Sequence, residues 1–117
     1  MIYDDLSEEE QIEAMVRDGQ LIQHITNPSE KVQLAAIRQV SIAIFHIKNP
    51  TRIVQLATVR KSSFLITLIS NPSEEVQLAA VQQDPTVIYY IKTPSDELRS
   101  YAELMILGQS RTAGVLS

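Results

Sequence analysis

Apolar residues in this chain return in short groups with members three or four positions apart, and the groups themselves return every 22 residues. On a wheel turned about 100° per residue, Val32, Ala35 and Ala36 form one stripe, and Leu34 with Ile37 lie nearly opposite. After a short break come Ile44 and Ile47, whose spacing of three puts both on one face. The same figure recurs as Val54, Leu56 and Val59 followed by Ile66 and Ile69, and as Val76, Leu78, Ala79 and Val81 followed by Ile88 and Ile91. The apolar positions do not alternate with period two, so helices are predicted and strands are not.

Each group is introduced by a proline, at positions 28, 50, 72 and 94, in the contexts Asn27-Pro28-Ser29, Asn49-Pro50-Thr51, Asn71-Pro72-Ser73 and Thr93-Pro94-Ser95. These phrases predict helix starts: asparagine or threonine as N-cap, proline at the first helical position, and an acid at the third, supplied by Glu30, Glu74 and Asp96. Arg52 takes that third place in the second full copy, whose helix is expected to start less firmly. Gly19, Ser41, Ser62-Ser63 and Asp84-Pro85 mark the breaks between a long and a short helix. A degenerate first copy begins at Asp5-Leu6-Ser7-Glu8, with Gln11 in register with Gln33, Gln55 and Gln77.

Units of this size bury no core alone and must stack. The predicted fold is all-α, a right-handed α-solenoid of 22-residue helix-turn-helix repeats with about five long and four short helices. A single domain is expected over residues 1–107, with repeats at about 5–26, 27–48, 49–70 and 71–92, a C-terminal cap helix at 93–107, and a flexible tail at 108–117. The end units carry the signature of caps. Glu10 and Glu13 replace the stripe of Val32 and Ala35 in the first copy, while Ser100 and Glu103 replace that of Leu34 and Ile37 in the last. The stripe of Val32 and Ala35 is therefore expected to face the preceding unit, and the stripe of Leu34 and Ile37 the following one.

Composition narrows the class without naming a function. The 117 residues are 44% hydrophobic and 21% charged, as in an ordinary globular domain. The absence of cysteine removes disulfides, zinc thiolates and thiol nucleophiles, and a cytoplasmic location is expected. The start MIYDDLSEEE is acidic where a secretion signal would be basic and then apolar, and no apolar run approaches the ~20 residues of a membrane span. A net charge of −4 does not mark a nucleic-acid binder.

Four glutamines in register, Gln11, Gln33, Gln55 and Gln77, look like a ladder that could read a repetitive ligand. Their angular position points inward, so a structural bond to the backbone of a neighbouring repeat's turn is expected instead. The outward positions of the short helices are the stronger candidates. They are Gln20, Gln23 and His24 in the first repeat; then Ile42, Phe45 and His46; then Phe64, Thr67 and Leu68; then Thr86, Tyr89 and Tyr90. Ile42, Phe45, His46, Phe64, Leu68, Tyr89 and Tyr90 are the predicted partner-binding residues, because so much apolar and aromatic surface facing water marks recognition. The alternative is an additional packing layer covered by the tail. His24 and His46 are one period apart and placed for stacking; their equivalents Leu68 and Tyr90 supply no further ligand, so no metal is expected.

Residues 1–18 carry seven acids against Arg17, whereas residues 30–61 carry Lys31, Arg38, Lys48, Arg52, Arg60 and Lys61 against Glu30. Arg38 and Arg60 are in register and, with Lys31, are candidate contacts for an anion or an acidic partner. The acidic first helix meeting the basic middle of a second copy would make a homodimer, so monomer and homodimer both stay open. So does the role of Leu104, Met105, Ile106 and Leu107, which either seal the last repeat or form a dimer contact.

The phrases NPSEEVQLAAV, NPSEKVQLAAI and NPTRIVQLATV resemble the short two-helix repeats of uncharacterised bacterial and bacteriophage proteins, and more distantly the HEAT-like and leucine-rich-repeat-variant α-solenoids. The resemblance covers residues 5–107 and implies a solenoid that binds macromolecules, with no catalytic residue or cofactor to carry over. The expected function is a non-enzymatic protein–protein interaction module, in phage or bacteria an inhibitor or adaptor acting on a host complex. The alternative is a nucleic-acid binder using the central basic residues.

Overall fold

The computed structural model describes the backbone of residues 2–116 and the side chains of residues 2–109. Helices make up most of the chain, and no strand occurs among the described residues. Five α-helices, α1 (Glu8–Arg17), α2 (Glu30–Gln39), α3 (Arg52–Lys61), α4 (Glu74–Gln83) and α5 (Asp96–Leu116), alternate with short 3-10 helices. The latter are η1 (Tyr3–Asp5), η2 (Gly19–His24), η3 (Ser41–His46), η4 (Ser63–Leu68) and η5 (Pro85–Tyr90). A 3-10 helix rises about 2.0 Å per residue against about 1.5 Å for an α-helix, so a short segment returns the chain across its unit.

Packing runs between successive units. α1 lies against α2, α2 against α3 and α3 against α4, while η2 meets η3, η3 meets η4 and η4 meets η5. The result is elongated, with extents of 57 × 30 × 16 Å. One core follows the period: Val32, Val54, Val76 and Leu98 are buried at one α position, and Ala14, Ala36, Ala80 and Ala102 at another. Thr58 takes the alanine place in α3, and its buried hydroxyl donates to the Val54 carbonyl at 2.8 Å, so it is satisfied there. Ile22, Ile44, Ile66 and Ile88 fill the inner face of the 3-10 helices.

The ends are closed as the charge pattern predicts. Glu10 and Glu13 are exposed while Met15 behind them is fully buried; at the other end Leu98 and Ala102 are buried and Ser100 and Glu103 exposed. The C-terminal junction is looser, with Leu78 and Tyr101 each 37% exposed. Ile106 packs partly against the core, whereas Leu104, Met105 and Leu107 are exposed.

The helix starts differ from the sequence expectation by two residues. Ser29, Thr51 and Ser73 are the N-caps, each side-chain oxygen accepting the N–H of Val32, Val54 or Val76 at 3.3 Å. Ser95 accepts from Leu98 in the same way at 3.1 Å. A hydroxyl caps by reaching the N–H three residues on, and only these positions satisfy that spacing. The asparagines make the turn instead: Asn27 and Asn71 adopt left-handed φ values of 59° and 51°, which asparagine tolerates. Proline follows, outside the helix, and its fixed φ leads the chain into the extended cap. α3 starts with the same cap geometry as α2 despite Arg52, which pairs with Glu75 of the next unit at 2.6 Å. A reciprocal capping box closes at Ser7 and Glu10. Internal helices carry a buried valine at that third position, so there the box is open only to a unit whose face meets water.

The glutamine ladder is structural, but its partner lies in its own repeat. The amides of Gln33, Gln55 and Gln77 donate to the carbonyls of Pro28, Pro50 and Pro72, each at 3.0 Å. Gln11 donates likewise to Tyr3 at 2.9 Å. Helix and turn of one unit are thus tied across five residues, a shorter reach than to the adjacent unit. Gln55→Leu is expected to strand the Pro50 carbonyl and cost about 1–3 kcal/mol in urea denaturation. A change within ~0.3 kcal/mol would show that the amide is dispensable.

A second ladder joins the units to one another, at residues 39, 61 and 83. Gln39 accepts the Gly19 N–H at 2.7 Å, Lys61 donates to the carbonyls of Ile37 and Arg38 at 3.0 and 2.6 Å, and Gln83 donates to that of Arg60 at 2.8 Å. Each reaches back to the unit before. Asp4 ties the N-terminus in similar fashion, accepting from the Thr26 backbone at 2.7 Å and its hydroxyl at 3.0 Å. Those bonds, the backbone one first, hold the Asp4 carboxyl below the usual carboxylate range.

α5 continues through residue 108 to Leu116, past the predicted end of the cap helix. Gly108 does not adopt the positive φ of a helix-ending glycine, so the helix runs through it. The side chains of residues 110–117 lie outside the described residues, and with them the expectation that the tail covers the short helices.

Candidate partner-binding face

The 3-10 helices present their outer positions along one side of the molecule, because a turn of three residues stacks positions three apart. Their inner isoleucines are held by the core, which fixes what must point outward. Phe45 is 69% and Tyr89 72% exposed, and Ile42, Phe64, Leu68 and Tyr90 are exposed with them. His46 is half-buried. Phe64 and Tyr90, from adjacent units, meet edge to face with ring centroids 5.0 Å apart. Phe45 meets His46 in the same manner at 5.4 Å. His24 does not stack on His46: its ring lies against Tyr3 at 5.8 Å, because η1 brings that tyrosine over the first unit.

Among the described residues, three grooves open on this side between successive units. The first, about 410 Å³, runs between Ile25 and Ile47 over the turn of Asn27 and Pro28, with Gln33 and His46 at its wall. The second, about 470 Å³, lies beside Asn49, Pro50 and Gln55 and is rimmed by Phe45 and Leu68. The third, about 440 Å³, lies beside Asn71, Pro72 and Gln77 and is rimmed by Leu68 and Tyr90. Each therefore repeats the last with the period of the sequence. Four of the predicted binding residues, Phe45, His46, Leu68 and Tyr90, line them; Ile42, Phe64 and Tyr89 flank them without lining any of the three.

The charge of the grooves is one-sided. Lys48 lines the first two and Lys92 the third, and among the described residues no carboxylate lines any of them. Sequence reasoning counts Lys48 only in the central basic set and passes over Lys92, although both close a short-helix unit just before Asn49 or Thr93. Arg38, Arg60 and Lys31 line none of the grooves. Arg60 acts partly on Glu75, whose carboxyl is held below the usual range first by its hydrogen bond from Arg52.

Among the described residues no cluster of three His, Cys, Asp or Glu side chains could hold a metal ion, and no helix is long and apolar enough to cross a membrane. No protein-family model, curated protein or solved structure matches this chain.

Proposed function

We propose that this chain is a non-enzymatic protein-binding module, its units stacked as a right-handed α-solenoid whose 3-10 face receives the partner. The observation that carries the reading is the row of exposed rings and leucines beside three grooves of one period. Aromatic side chains at such positions bring large contact area with few rotors to freeze, the property that makes them dominate interface energetics. The resemblance to short phage and bacterial repeats extends the role to an inhibitor or adaptor that occludes a surface of a host complex, working in the cytoplasm. Binding of nucleic acid through Arg38, Arg60 and Lys31 fits less well. Lys61 and Arg52 already serve helix carbonyls and Glu75, which leaves a sparse basic track.

The test is capture of partners from host extract by the wild type and by a Phe45→Ala/Tyr89→Ala variant, with the fold of each checked by circular dichroism. A partner retained by the wild type in 0.5 M salt, roughly beyond the reach of phosphate contacts, and released by the variant is the expected result. Equal capture by both proteins sinks the assignment of this face, and loss of all capture at high salt favours nucleic acid.

A further inference from the structure

The repetition of the grooves restricts what fits them. Neighbouring helices pack ~8–10 Å apart, so a ligand lying along this side meets a new groove at about that interval. A polyproline-II chain advances ~3.1 Å per residue with three residues per turn, and so presents every third side chain on one face ~9.3 Å apart. An extended β-segment has nearly the same rise, but its side chains alternate, and every third one points away. An α-helix matches the interval only at two turns, ~10.8 Å, and its interior carbonyls are already bonded.

The polar groups of the grooves separate the two remaining ligands. Lys48, Lys92 and Asn49 line them as hydrogen-bond donors. Polyproline-II backbone carbonyls are free to accept, whereas those of a helix are not. Lysines without any carboxylate beside them favour acidic side chains in the occupant and disfavour basic ones.

We infer that the three grooves take an acidic polyproline-II segment of a partner protein, about nine residues long, seating one apolar side chain per groove at three-residue spacing. The inference rests on the protein-binding reading of this face and specifies its ligand. Leu68, shared by the second and third grooves, separates two successive seats.

The experiment titrates the full chain, by amide chemical shifts and calorimetry, with three synthetic peptides of equal length and charge. One is (Leu-Pro-Glu)4, one has the same composition with leucines irregularly spaced, and one is helical with leucines at heptad spacing. (Leu-Pro-Glu)4 is expected to move the amides of Lys48, Leu68 and Lys92 and to bind at least about tenfold more tightly than the respaced peptide. Lys48→Glu, an exposed change, is expected to weaken it several-fold and more so at low salt. Equal affinity of the regular and respaced peptides overturns the inference. So does tighter binding of the helical one, which would leave the protein-binding reading standing. If no peptide moves a groove amide at millimolar concentration the inference is likewise overturned, and capture by the Phe45/Tyr89 pair decides the broader reading separately.

Discussion

Replacing Ile37 with alanine is expected to remove about 2–5 kcal/mol of stability, read as a lower midpoint in urea denaturation with an unchanged slope. The side chain is fully buried in α2, which packs between α1 and α3. Its loss forfeits the transfer free energy of three carbons and leaves a cavity between two helices whose spacing is fixed by their other contacts. A protein of this size has roughly 5–15 kcal/mol in total, so a large part of the population could unfold at modest denaturant. Phe45→Ala removes more carbon and is expected to change stability by less than about 0.5 kcal/mol, since the ring is exposed already. If the two variants lost comparable stability, the 3-10 face would belong to the core and the docking proposal would fall.

Gly19→Ala is expected to destabilise by about 1–3 kcal/mol, against the usual gain from replacing glycine. The usual gain, about 0.4–1 kcal/mol, comes from a less flexible unfolded chain and applies where the native site has room. Here a Cβ would lie 2.5 Å from the carbonyl oxygen of Ala36, 3.0 Å from Val40 Cγ1 and 3.1 Å from the Gln39 amide oxygen. The first of these is backbone and cannot swing aside, so the start of η2 must move away from the end of α2. That movement also weakens the bond from the Gly19 N–H to Gln39. The equivalent residues Ser41, Ser63 and Pro85 all carry a Cβ, which confines this close approach to the first junction. A thermal melt is the check: a midpoint lower by several degrees is expected, and an unchanged or higher one would show that the junction yields freely.

Much of this architecture is legible in the sequence because repetition supplies its own controls. A letter constant in every unit, such as the isoleucine of Ile22, Ile44, Ile66 and Ile88, must serve packing. A letter that changes only at the ends, as Glu10 and Glu103 do, must face water. What sequence missed depends on backbone conformation. Asn27 reads as a cap until its left-handed φ is known, and only then does Ser29 become the residue at capping distance. Gln33 is correctly placed inside, yet the wheel gives direction and not reach, so it points to a neighbouring repeat where the bond goes to Pro28 five residues back. The ladder of Gln39, Lys61 and Gln83 escaped notice because its members differ in charge, although each is long enough to reach a carbonyl or amide of the preceding unit. At the candidate face the exposed rings were legible as irregular letters; the grooves were not, since they lie between units that sequence shows only singly.

The closed ends also bear on how the chain finds its order. Units this alike could pair in the wrong sequence, with one skipped or two exchanged, and their internal faces would accept the error. A mispaired first unit, however, would press Glu10 and Glu13 against a stripe such as Leu34 and Ile37, and a mispaired last one would press Glu103 against a stripe such as Val32 and Ala35. Desolvating a lone carboxylate costs several kcal/mol, comparable to the contacts that the mistake would gain. Two or three charged letters at the margins therefore act as an address for every repeat between them, allowing the interior phrases to stay nearly identical without the chain losing count.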